Sequence, residues 1–298
     1  MIMKALERQY ERSDATRVFI DVERAVTLTA PPEQTIPVVV ASPHSGNRYP
    51  RDLLQASKLD PSSLRKSEDA HVNTLFSGAN SVGAPLLAAE FPRAYVDVNR
   101  EPYELDPSMF DAPLPPYAIT RSPRVAAGLG SIPRIVSAGI EIYARRLSFA
   151  EASARLNACY KPYHNALRRL VRSTHAKFEN CVLIDAHSMP TAGLSIRDDL
   201  GGPIDIVIGD NHGKACHSQY SEAAISYFRD LGYAVILNDP YSGGFVTQSY
   251  SDPERNIHVL QVEINRSLYM DEITYERNSY FPKLTDHITG FLSEIASI

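Results

Sequence analysis

The chain has 298 residues, of which 44% are hydrophobic and 22% charged, and it carries a net charge of −5. That length allows one large domain or two small ones, with enough buried surface to need no covalent staples. An acidic balance without a block of like charge argues against a nucleic-acid partner, and no apolar run approaches the roughly 20 residues of a membrane helix. The cysteines, Cys159, Cys181 and Cys216, form no CxxC pair, so no disulfide framework is expected. The opening stretch MIMKALERQYERSD lacks the apolar core of a secretory signal, and the expected compartment is the cytoplasm.

In chain order, residues 17–29 read as short edge strands and 36–42 as a buried strand. The latter is apolar and β-branched and ends in SPHSG at His44. Residues 67–82 read as a helix with Ser67 as N-cap and acids, Glu68 and Asp69, in its first turn. Two strands, PLLAAEF and AYVDV, follow across 84–98. Residues 101–136 hold seven prolines, which forbid long regular elements, and read as a structured active-site loop. Residues 138–177 read as helical, broken at Pro162. CVLIDAHSMP then gives a strand ending at His187, followed by a Gly/Pro/Asp-rich loop over 190–203. Strands at 204–209 and 233–237 flank a helix at 214–231. Strands at 244–250 and 257–265 and a helix at 279–296 complete the chain. This alternation predicts an α/β sandwich with a mixed sheet, in a single domain spanning 1–298 with residues 1–30 peripheral.

Two apolar strands that each end on a lone histidine beside a serine are unusual as core chemistry. They suit the mouth of an open α/β sheet, where strand ends deliver side chains to a ligand crevice. Alone, His44 or His187 reads as a turn residue; together they suggest a metal, which a carboxylate would complete. Asp69 or Glu68 supplies that carboxylate, or else only complements a helix dipole. His71, two residues past Asp69, would face elsewhere on a helix. Asp185, two residues before His187, shares its sheet face and is placed to orient an imidazole. In LQVEINR, Glu263 lies on a polar face that is either solvent or crevice; in a crevice it is a general base. Asn99 and Arg100 end FPRAYVDVNR and suit an anionic substrate, or a salt bridge from Arg100 to Asp97 or Glu101. Arg121, Arg124 and Arg134 lie in the proline-rich segment. DNHGKACH (210–217) fits no zinc spacing and reads as a strand-to-helix turn. GLGSIP lacks the lysine and following helix of a phosphate loop.

Taken together, SPHSG, Asp69, FPRAYVDVNR with ELDPSMF, GLGSIPR, PYHNAL, IDAHSMP, NDPYSGG and LQVEINRSLYMDE resemble the N-formylglutamate amidohydrolase family from about residue 38 to 272. That family is similar in turn to zinc carboxypeptidases and aspartoacylases. The resemblance implies a three-layer sandwich, a mixed β-sheet between helices of the carboxypeptidase (phosphorylase/hydrolase-like) kind. It further implies one zinc ion held by His44, Asp69 and His187, and Glu263 as base. Arg100 would be a catalytic contact, and Asn99, Arg100 and Arg134 would bind a small anionic N-acyl amino acid. The carboxypeptidase pattern has its acid three residues after the first histidine. Here that position is Asn47, and Asp69 takes the role by similarity to the deformylases. The implied products are formate and a free amino acid. Other readings are a peptidase on short peptides, a non-catalytic binding protein for an acidic metabolite, and a Ser45 nucleophile, which lacks the GxSxG elbow.

Overall fold

The computed structural model describes residues 21–137, 139–192, 196–197 and 202–298. They fall into two compact units, one of 21–26, 46–68 and 89–165, the other of 27–45, 69–88 and 166–298.

The second unit is built on a seven-stranded sheet. Its strands are β1 (Val26–Thr29), β2 (Val38–Ser42), β3 (Leu86–Ala89), β4 (Cys181–Met189), β5 (Ile206–Gly209), β6 (Val235–Leu237) and β7 (Ile257–Asn265), ordered β1-β3-β2-β4-β7-β5-β6. β3, β2, β4 and β7 run parallel, β5 is antiparallel to β7, and β6 is parallel to β5. The sheet is therefore mixed and the fold is α/β, as the alternating pattern predicts. The helices of this unit are α1 (Val72–Leu75), α3 (Ser218–Asp230), α4 (Phe245–Tyr250) and α5 (Phe281–Ala296), with most of α2 (Lys161–Phe178), whose first five residues fall in the first unit.

Strand period decides what each face carries. Val38, Val40, Val182, Ile184, Ala186, Leu260, Val262 and Ile264 form one buried core with Leu75 of α1, Ala224 and Phe228 of α3, and Leu284, Ile288 and Phe291 of α5. The alternate residues at the strand ends, Asp185, His187, Gln261 and Glu263, lie on the other face. Glu263 is only 7% exposed, so that face is not bulk solvent. α4 packs on β7.

The first unit holds short helices at Arg51–Ala56, Pro61–Leu64, Pro123–Ala126 and Phe149–Arg155. Arg155 is fully buried, with its guanidinium 4.4 Å from the centre of the Tyr95 ring and 5.6 Å from that of Tyr143. The expected loop over 101–136 has only single-turn helices and isolated bridges, as its prolines require.

Several local expectations give way to tertiary contacts. The helix expected over 67–82 is instead a series of single turns, because His71 takes a left-handed backbone (φ 66°) and the Asp69 N–H donates to the His44 carbonyl at 3.0 Å. AYVDV is not a strand: the Tyr95 N–H closes a turn onto the Pro92 carbonyl at 2.9 Å. Residues 244–250 were expected to extend but form α4; β7 already has β4 and β5 as neighbours, which leaves no edge for them. Residues 139–148 are not helical, since the capping box of Ser148 and Glu151 starts the helix at Phe149. A π turn, Leu156–Tyr160, precedes the proline at 162. The expected strand at 17–20 lies outside the described residues.

Candidate metal centre

His44 follows β2 by two residues, and His187 is the third-last residue of β4. Asp69 comes to them because its backbone N–H is held by the His44 carbonyl. All three side chains are buried, at 1%, 1% and 3% exposure for His44, Asp69 and His187. Asp69 Oδ2 lies 3.4 Å from His44 Nδ1 and 3.0 Å from His187 Nδ1. One donor atom from each residue falls within 4.8 Å of the others. Donors about 2.0–2.1 Å from a tetrahedral zinc stand about 3.3 Å apart, so the set fits such an ion in both chemistry and spacing.

The surrounding side chains orient this set. Asp185 Oδ2 lies 3.1 Å from His187 Nε2, leaving Nδ1 as the nitrogen turned to Asp69. Burial alone would lower the His187 pKa, but the charge and hydrogen bond of Asp185, the hydrogen bond of Asp69 and the charge of Glu263 raise it well above the ordinary value. Burial alone would likewise raise the Asp69 carboxyl. The hydrogen bonds and charges of His187 and His44 outweigh it and hold Asp69 well below the usual carboxylate range.

Glu263 is the register partner of His187 across β4 and β7, as Gln261 is of Asp185. Gln261 Oε1 accepts the Gly244 N–H at 2.9 Å, which fixes the amide so that Nε2 donates to Glu263 Oε1 at 2.9 Å. Strand alternation points to Gln261, two residues before Glu263. Arg266 has no comparable local signal: it follows the strand, and its Nη2 donates to Asp69 Oδ1 at 3.0 Å.

The other expected residues lie elsewhere. Glu68 is held by Tyr49 and Arg65, which separates it from the choice of carboxylate. Asn99, Arg100 and Arg134 belong to the first unit. There Arg100 Nε donates to the Leu129 carbonyl at 3.0 Å and lies 3.8 Å from Asp97. Arg134 pairs with Asp106 at 2.8 Å and Glu141 at 3.2 Å. The 210–217 segment is the expected turn, with the Gly213 N–H donating to Asp210 at 2.8 Å. Among the described residues no helix is long and apolar enough to cross a membrane.

Residues 36–270 match the N-formylglutamate amidohydrolase family. An N-formylglutamate deformylase of Pseudomonas putida is 28% identical over 240 residues, covering 80% of this chain and 83% of that protein. One of Pseudomonas aeruginosa is 29% identical over 242 residues, with 80% and 83% covered. The crystal structure of N-formylglutamate amidohydrolase from Ralstonia eutropha JMP134 superposes with a TM-score of 0.84 at 36% identity, covering 92% of this chain and 97% of that one. A protein of Agrobacterium tumefaciens shares the fold, with a TM-score of 0.60 at 19% identity over 91% of this chain and 96% of its own.

Proposed function

This chain belongs to the N-formylglutamate amidohydrolase family and is a hydrolase of amide bonds; from that premise we propose that it cleaves N-formylglutamate, or a closely related N-formyl amino acid, to formate and the free amino acid. His44, Asp69 and His187 hold one divalent ion, zinc by the chemistry of the donors. The observation that carries this reading is the buried cluster of two Nδ1 atoms and one carboxylate oxygen beside Glu263. When bound, such an ion supplies a Lewis acid that polarises the amide carbonyl and acidifies water.

The protein's own groups do the rest. Glu263, aimed by Gln261, takes the proton of the attacking water and returns it to the departing amine. Asp185 holds the His187 ring in one orientation. Asn99, Arg100 and Arg134 are the side chains whose chemistry suits the substrate's carboxylates. The relatives' names support the formyl specificity of this reading over peptidase action.

The test is a panel of N-formyl, N-acetyl and N-succinyl amino acids and short peptides, assayed before and after chelator dialysis. Expected is turnover highest on N-formylglutamate, lost on dialysis and restored by zinc. Higher turnover on peptides would overturn the substrate, and activity that survives metal removal would overturn the ion.

A further inference from the structure

Arg266 lies just past the end of β7, in a turn of 3-10 helix whose Ser267 N–H is accepted by the Asn265 side chain. Its guanidinium is buried and bridges two neighbours of the candidate centre. Nη2 donates to Asp69 Oδ1 at 3.0 Å, and Nε donates to Ser188 Oγ at 3.1 Å. The two oxygens of Asp69 are thereby divided. Oδ1 faces a cation, and Oδ2 faces His44 Nδ1 and His187 Nδ1 at 3.4 and 3.0 Å.

A carboxylate with both oxygens available can grip a divalent ion through either or both. One whose Oδ1 is held by a guanidinium offers a single donor. Ser188 follows His187 on β4, so the same guanidinium is tied to the strand end that delivers a histidine. Three residues on, the Tyr269 hydroxyl donates to the Ala70 carbonyl at 2.9 Å, fastening this turn to the backbone beside Asp69. The planar fork of arginine spans Asp69 and Ser188 together; a lysine brings the charge without the fork.

We propose that Arg266 is a positioning residue of the metal centre: it confines Asp69 to one donor oxygen, aims that oxygen between the two histidines, and so keeps a coordination position open to substrate. This rests on the reading that His44, Asp69 and His187 hold a divalent ion.

The experiment compares wild type, Arg266→Lys and Ser188→Ala, each checked for folding by thermal melting. The metal-stripped proteins are titrated with zinc against a chromophoric chelator. Visible spectra of the cobalt-substituted forms are recorded, and kcat and KM on N-formylglutamate are measured. Arg266→Lys is expected to bind zinc about 10- to 100-fold more weakly. Its cobalt bands should weaken as coordination number rises, and kcat should fall with KM near wild type. Ser188→Ala should shift the same way by less. Wild-type zinc affinity and cobalt spectra in both variants would overturn the proposal, as would a rise in KM with kcat unchanged, which would make Arg266 a substrate contact. Should Arg266→Lys not fold, an unchanged zinc affinity and cobalt spectrum in Ser188→Ala overturns it. A wild type that takes up no zinc or cobalt overturns the metal reading itself, a result distinct from variants that bind like wild type.

Discussion

Glu263 stands directly opposite His187, its register partner across the parallel strands β4 and β7. Parallel register and strand period together put a candidate general base and a candidate metal donor side by side on one sheet face, while their chain neighbours Val262 and Ala186 fill the core on the other. Replacing Glu263 by Gln keeps the shape and removes the base. The variant should retain its metal and lose about 10²- to 10⁴-fold in kcat. Metal analysis of the purified variant beside its turnover checks this; normal turnover would remove Glu263 from the role of base.

Gln261 aims Glu263 through a 2.9 Å hydrogen bond and is itself pinned by the Gly244 N–H. A hydrogen bond to a charged group is worth about 1.5–3 kcal/mol, so Gln261→Ala should lower kcat by roughly tenfold or more. Metal content should not change. Loss of metal along with activity would show that Gln261 supports the donors rather than the base.

Asp185 faces the far nitrogen of His187 at 3.1 Å. Asp185→Asn should leave the fold intact and weaken zinc binding by about 10- to 100-fold. A competition titration with a chromophoric chelator measures it, and an unchanged affinity would reduce Asp185 to a packing role.

Gly46, two residues after His44, leaves no room for a side chain. A Cβ there would lie 2.6 Å from the Glu90 carbonyl carbon and closer still to the Phe91 oxygen. Both are backbone atoms and cannot rotate away. Gly46→Ala should therefore destabilise the protein by about 1–3 kcal/mol, read as a lower urea midpoint. An unchanged midpoint would mean the backbone yields at no cost.

His258, at the start of β7 and 1% exposed, has its pKa lowered to about 4, first by burial and then by the nearby His217. The unfolded chain, with an ordinary histidine pKa of about 6.5, therefore binds the proton more readily than the fold does. The contribution is fully present above about pH 6.5 and is lost as pH falls toward 4. At about 1.4 kcal/mol per pKa unit, its full size is on the order of 3 kcal/mol. Urea unfolding at about pH 7.5 and about pH 5 should show wild type losing more stability on acidification than His258→Leu. Equal losses in the two proteins would exclude His258 as a source of acid sensitivity.

Local pattern carried much of the fold. β2 and β4 announce themselves as apolar, β-branched runs and β7 as an alternation of apolar and polar residues, and α3 and α5 lie inside the stretches whose pattern is helical. Where pattern failed, a distant partner had taken the backbone group or edge that the local element needed. The Asp69 N–H went to His44 instead of to a helix, and the 244–250 segment met a β7 already paired on both sides. Gln261 was within reach of strand alternation. Arg266 was not, because its contact with Asp69 spans 197 positions.

The sequence by itself determined that His44 and His187 each end a buried strand and that Glu263 lies near the end of an alternating one, since side-chain period and β-branching act between near neighbours. Only the tertiary structure decided which acid joins the histidines. Glu68 and Asp69 are adjacent and alike, yet Glu68 turns to Tyr49 and Arg65 while Asp69 turns to His44, His187 and Arg266. Strand packing chose between them by setting where one backbone N–H finds its acceptor, a long-range condition that no local pattern records.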